Sequence, residues 1–282
     1  MKLFEKKLTT TAQRTRSSRI MLLCFLILLA GCAPVSEKPT PEQAKQFIKL
    51  RGYNLDEKSF FEAAAASDTM AVNAFLFAGI NPNVKDPVRG ETALIAAAAR
   101  DDLPIVKALL QGGADVNTKS EVGATALLRA LDNKHYAVAD TLLAEQKLDV
   151  NAQSGDGSTA LIYYVMAHRE DIVRNLLERG TDVNLQDREG DTALHRAAQN
   201  GNKIILEMLL AKGANPNIKN KLGGTALMWA AGFGHDESVT ILLNNGADPR
   251  LKDEDGITAS GWAAKNKREE LAKVLREAER RK

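Results

Sequence analysis

The chain has 282 residues, of which 38 are basic and 36 acidic, so the formal net charge is +2, and 44% are hydrophobic. Residues 1–31 hold six of the basic side chains and one of the acidic ones, which leaves 32 against 35 and a net charge of −3 beyond them. That balance removes the compositional support for nucleic-acid binding.

In chain order, a basic segment with Lys2, Lys6, Lys7, Arg14, Arg16 and Arg19 precedes Ile20 to Ala30, eleven residues without a charge. A spanning helix needs about 20 apolar residues, so this run suits the h-region of a signal peptide rather than a membrane span. Leu29-Ala30-Gly31-Cys32 follows it directly and resembles the bacterial lipobox. The resemblance implies a signal peptide over 1–31, removed by cleavage before Cys32, whose thiol carries diacylglycerol. Cys24 then leaves with the signal and no thiol remains for a disulfide, a zinc site or nucleophilic catalysis. Ala33, not Asp, follows the cysteine, which resembles the sorting signal for the outer membrane of Gram-negative bacteria. The expected location is therefore the outer membrane, lipid-anchored and facing the periplasm. Initiation at Met21 would remove the basic segment and leave a minor cytosolic form. Residues 32–41, with Pro39 and Pro41 among polar side chains, read as the lipidated cysteine and its tether.

The next segment, 42–58, reads as an amino-terminal capping helix. A helix from Pro41 to Tyr53 would turn Phe47, Ile48 and Leu50 inward.

Everything beyond it repeats. Thr-Ala-Leu recurs at Thr92, Thr125, Thr159, Thr192 and Thr225, and Thr258-Ala259-Ser260 continues the series, at steps of 33, 34, 33, 33 and 33 residues. Ser59 lies one further step back, so seven units run over 59–282. Within one unit, Gly190 sits in a turn and Thr192 caps a short helix whose face carries Ala193, Leu194, Ala197 and Ala198. Gly201 breaks that helix; Ile204, Ile205, Met208, Leu209 and Leu210 stripe a second one, which Gly213 ends. Period and pattern resemble the ankyrin repeat, which implies an all-α solenoid of about seven helix-turn-helix units, caps included, joined by β-hairpin-like loops.

Departures from that family pattern carry further expectations. Ala replaces the family's Pro after every internal Thr, and only His195 keeps its histidine; the counterparts are Ile95, Leu128, Ile162 and Met228. One unit has an extra residue within Ala144 to Asp149 and no helix-ending Gly, which predicts a longer second helix or an altered turn. The charged stretch from Lys265 to Lys282 suits a carboxyl-terminal cap.

No catalytic constellation emerges. His135, His168, His195 and His235 all fall at or beside repeat positions, and none belongs to a His-Glu-x-x-His zinc motif. Asp156-Gly157-Ser158 superficially resembles a nucleophile elbow, but Asp156 and Ala160 stand where that motif needs glycines. Asp253, Asp255 and Gly256 echo a calcium loop without its remaining ligands. The reading is non-enzymatic, with no cofactor and no metal.

Positions four, seven and eight residues after each capping Thr share one face of the first helix. The ankyrin resemblance places that face on the concave surface and implies a protein partner. It carries Arg129, Tyr163, Met166, Arg196, Trp229, Phe233 and Trp262, types that dominate interfaces. Tyr163, Met166, Arg196, Trp229, Phe233 and Trp262 are the candidate partner-binding residues and Cys32 the lipidation site. The alternative that the rings fill gaps between helices, or that Trp262 covers the last unit, stays open. Hairpin tips that include Val88, Val122, Arg188, Glu189 and Leu222 form a second candidate surface. Some bacterial ankyrin lipoproteins are immunity proteins that neutralise secreted lipase toxins, and the resemblance implies that role here. Others assist periplasmic stress enzymes such as catalase, and a general envelope scaffold is the third reading.

Overall fold

A computed structural model describes residues 39–281; the signal-peptide and lipobox expectations, Cys32 among them, lie outside these residues. Among the described residues the secondary structure is fifteen helices, with isolated β-bridges at Lys85–Thr92 and Gln153–Thr159 in place of strands. They form two compact units. One comprises the described residues up to Glu121 together with Thr125–Lys147, the other Val122–Ala124 together with residues from Leu148 onward.

The first unit opens with α1 (Pro41–Leu50), followed by three helix pairs: α2 (Glu57–Ala65) with α3 (Thr69–Phe77), α4 (Ala93–Ala99) with α5 (Leu103–Gln111), and α6 (Ala126–Asp132) with α7 (Tyr136–Leu143). The second holds four more: α8 (Ala160–Met166) with α9 (Glu170–Glu178), α10 (Ala193–Asn200) with α11 (Lys203–Ala211), α12 (Ala226–Phe233) with α13 (Asp236–Asn244), and α14 (Ala259–Lys265) with α15 (Glu269–Arg281). Within each unit, first helices lie against first helices and second against second.

Three of the six repeated threonines cap their helices through the hydroxyl as expected; Thr225 and Thr258 start helices without a side-chain cap bond, and at Thr192 the backbone N–H donates to His195 Nδ1. The hydroxyls of Thr92, Thr125 and Thr159 accept the backbone N–H of Ile95, Leu128 and Ile162, each at 3.3 Å. A helix start buried in a stack has no water for its free N–H groups, so a side-chain acceptor there removes a cost of about 1 kcal/mol. The core-facing alanines of the first helices are fully buried, Ala97 and Ala98 in α4 and Ala197 and Ala198 in α10 among them. Their small side chains let neighbouring helices approach closely and bury most of each apolar face, although Ile204 of the expected stripe stays 42% exposed.

Two expectations change. In α1 the buried face is Ala44, Phe47 and Ile48, while Leu50 is 65% exposed. At 100° per residue Leu50 falls about 200° from Ile48, on the opposite side of the helix. The helix stops at Leu50, and Tyr53 instead packs edge-on to Phe75 with centroids 6.1 Å apart. The extra residue near Ala144 does not lengthen the second helix. Helix α7 has eight residues where α5 and α9 have nine. Without a glycine to turn left-handed, the chain leaves through Ala144 in right-handed geometry, and Glu145 N–H donates to Leu142 O at 3.1 Å. The spare residue goes into the altered turn, and Leu148 still reaches the core.

Hairpins in the second unit stack through backbone contacts. Arg188 N–H donates to Asp156 O at 2.6 Å, Lys221 N–H to Glu189 O at 2.9 Å and Glu254 N–H to Leu222 O at 3.1 Å. Gly190 permits this, because a Cβ there would lie 2.8 Å from the Lys221 nitrogen. Asparagines add a second ladder: Asn184 and Asn217 donate to Gly213 O and Gly246 O and accept from the N–H of Asn215 and Asp248.

Candidate functional site

The six candidate partner-binding residues all lie in the second unit. Tyr163 and Met166 come from α8, Arg196 from α10, Trp229 and Phe233 from α12 and Trp262 from α14. Four, seven or eight residues after the helix-starting Thr, each position sits on the side of its helix away from the alanine-rich core. Met166 is 52% and Phe233 47% exposed, while Tyr163, Arg196, Trp229 and Trp262 are half-buried.

The structure joins these residues into two clusters. Trp229 and Phe233 stack with centroids 6.0 Å apart, Trp262 meets Trp229 edge-on at 5.5 Å, and Phe233 lies parallel to the His235 ring at 6.2 Å. The rings therefore do fill space against one another, but they leave Phe233 open to solvent. Tyr163, Met166 and Arg196 meet instead in the wall of a pocket beside the hairpins.

Arg196 is already engaged by its own chain. Its Nη2 donates to Asp187 Oδ2 at 2.9 Å and reaches Asp191 Oδ2 at 3.1 Å. Asp187 Oδ1 in turn accepts the N–H groups of Glu189 and Asp191, so one carboxylate shapes the hairpin and holds the guanidinium. Asp191 is buried and also accepts from Asn220 Nδ2 at 2.8 Å. In the other unit, Arg129 is held similarly, donating to Glu91 Oε1 at 2.9 Å.

Two of the candidate residues share one register: a hairpin carboxylate nine positions earlier accepts from each. Asp187 takes Arg196, and Asp253 Oδ2 takes the Trp262 indole N–H at 2.7 Å. Partial burial pushes the Asp253 carboxyl up, but the Ile257 N–H and the Trp262 indole outweigh it and hold the group below its ordinary range. Asn220 holds the corresponding position nine residues before Trp229, but its groups are engaged elsewhere. Its Oδ1 accepts from Leu222 and Gly224 N–H and its amide goes to Asp191. The Trp229 indole nitrogen is buried with no hydrogen-bond partner among the described residues. The sequence reading missed these hairpin residues; the constant nine-residue offset was the signal available.

His195 is structural. Thr192 N–H donates to its Nδ1 at 3.1 Å, and its Nε2 bonds to Gly224 O at 3.2 Å, which specifies the neutral Nε2–H tautomer. Burial pushes its pKa down, Asp191 pulls it up, and the net shift is downward. His135 and His235 each cap a second helix and bond to carbonyls of the preceding unit, Ala98 O and Gln199 O. His168 occupies the inter-helix turn at φ 56°. No group of three or more His, Cys, Asp or Glu placed to hold a metal occurs among the described residues. None of their helices is long and apolar enough to cross a membrane. Of the hairpin tips, Val88, Val122 and Leu222 are strongly exposed.

A family model described as ankyrin repeats (3 copies) matches residues 60–154, 144–220 and 205–281. Among solved structures, an ankyrin repeat domain from Acinetobacter baumannii AYE aligns at 34% identity with a TM-score of 0.58, covering 66% of this chain and 96% of that one. No curated protein matches the chain.

Proposed function

Because this chain belongs to the ankyrin-repeat family, whose domains are in general non-catalytic scaffolds for protein binding, we propose that it is an inhibitor of the immunity type. In this reading it is lipid-anchored through Cys32 at the outer membrane, faces the periplasm and neutralises a secreted lipase toxin. One observation carries the choice of binding surface. Phe233 and Met166 stand half-exposed on the first-helix face beside Trp229, Trp262 and Tyr163. Large apolar side chains held in place by their neighbours cost little entropy to bury against a partner, and rings of this kind dominate interface energies. A lipid anchor would confine such an inhibitor to the membrane that a lipase attacks.

The test is affinity capture from cell envelopes, comparing the intact protein with a Trp229→Ala/Phe233→Ala variant. Capture of one lipase, lost with the variant and accompanied by loss of the lipase activity, is the expected result. A catalase captured with its activity preserved would replace inhibition by assistance, and several unrelated envelope proteins would replace it by scaffolding. Equal capture by both forms would move the binding surface away from the aromatic cluster.

A further inference from the structure

The pocket beside α8 has a volume of about 280 Å³, and Asp156, Tyr163, Met166, Arg188, Glu189 and Arg196 stand in its wall. Both cations of that wall have partners in the chain itself, although that of Arg188 is a neutral carbonyl. Arg188 Nη2 donates to Gly155 O at 2.8 Å, and Arg196 is shared between Asp187 and Asp191. The carboxylates are matched differently. Asp156 is partly buried, which pushes its pKa up, but the hydroxyls of Ser154 and Ser158 and the Ser158 N–H prevail and keep it ionised. All three donors are neutral: they solvate the charge without cancelling it. Glu189 is exposed and makes no ion pair among the described residues. With Asp191 behind the wall, four carboxylates face two guanidinium groups, a local charge of −2. The same wall holds the Met166 side chain, 52% exposed, and the Tyr163 ring.

We infer that this pocket receives an arginine side chain from the protein partner, its stem against Met166 and Tyr163 and its guanidinium at Asp156 and Glu189. A side chain apolar along its stem and cationic at its tip complements a wall that carries both apolar and anionic side chains. Arginine suits it better than lysine, because a planar guanidinium stacks on a phenol face and offers forked N–H groups to a carboxylate. The assignment rests on the protein-binding reading for its source of arginine, though not on the partner being a lipase. It adds a charge requirement to the apolar contact at Trp229 and Phe233, so a partner lacking a protruding basic residue is discriminated against.

The experiment is a methyl NMR titration of the full-length protein, followed at the Met166 methyl group, with Nα-acetyl-arginine N-methylamide as probe. The norleucine and glutamate analogues serve as comparisons. The arginine compound is expected to shift the Met166 signal saturably, with a dissociation constant on the order of millimolar. An Asp156→Asn/Glu189→Gln variant should weaken it about tenfold while an unchanged spectrum elsewhere shows that the fold is intact. Equal shifts with the norleucine compound would reduce the pocket to an apolar one, and stronger binding of the glutamate compound would make Arg188 and Arg196 the anchors; either overturns the inference. Partner capture that succeeds while the arginine probe fails would overturn this inference alone. Probe binding without any partner capture would overturn the protein-binding reading and leave a pocket for basic side chains.

Discussion

Asn220 donates to the Asp191 carboxylate at 2.8 Å, with both side chains buried, while the buried Trp229 indole N–H has no acceptor among the described residues. In the neighbouring register the same hairpin position is Asp253, which accepts from Trp262. Asn220 instead spends its amide on Asp191 and its oxygen on two backbone N–H groups of its own turn. Asp191 thereby gathers Arg196 and Asn220 around one buried charge.

Trp229→Phe and Trp262→Phe should therefore differ although the chemical change is the same. The first removes a buried N–H that has no partner; the second removes the donor to Asp253 Oδ2 and leaves the Ile257 N–H on Oδ1. An orphaned polar group costs about 1–3 kcal/mol, so Trp229→Phe should be the less destabilising of the two by about 1 kcal/mol. Paired urea denaturation curves would check this, and the reverse order would refute the assignment of the orphan donor.

Asn220→Asp should destabilise the second unit by about 2 kcal/mol at pH 7, because it places a second carboxylate against buried Asp191. Like charges at hydrogen-bond distance raise the pKa of the pair, so the folded variant binds more protons than the unfolded chain. Its deficit should accordingly shrink as pH falls from 7 toward 5. Denaturation midpoints across that range measure it; a deficit that does not change with pH would contradict the pairing.

His195 gives the natural protein its own pH dependence. Burial lowers its pKa from the ordinary 6.5 despite the nearby Asp191, so the unfolded chain takes up the proton first. Stability contributed by neutral His195 is fully present above about pH 6.5 and declines as pH falls from there toward the folded-state pKa. Asp156 and Asp253, whose pKa values are lowered, contribute stability that is lost only in more acidic solution, below about pH 4. His195→Leu, which installs the residue type that Leu128 already supplies at the equivalent position, should flatten the slope of stability between about pH 7.5 and 5.5. An unchanged slope would assign the effect elsewhere.

The turn between paired helices offers a contrast. Gly201 has φ 67°, and a Cβ there would meet His235 Nδ1 at 2.5 Å; Lys134 holds the equivalent position at φ 61°. Gly201→Ala should cost about 2 kcal/mol, from left-handed strain together with displacement of His235. Lys134→Gly should gain about 0.5 kcal/mol, since relief of that strain is partly offset by the entropy of the unfolded glycine. Equilibrium denaturation with unchanged m-values would establish both, and opposite signs would disprove the argument.

The sequence by itself determined the repeat, the helix starts and the buried alanines, because these follow from rules that act within one unit of 33 residues. A buried Thr caps its own helix three residues on, and Ala97 or Leu209 faces inward wherever the helical period puts it. It also placed the six candidate residues on one helix face. What those side chains do there depended on neighbours about 30 residues away, and only the tertiary structure decided it. Asn220 reaches back to Asp191 across 29 residues, and His235 rests where Gly201 leaves room. The pocket likewise needs two hairpins to bring Asp156 and Glu189 into one wall with Met166. The outward Leu50 and the shortened α7 have the same cause at smaller scale: apolarity and length suggest an element, but packing against a particular neighbour selects its face and its end.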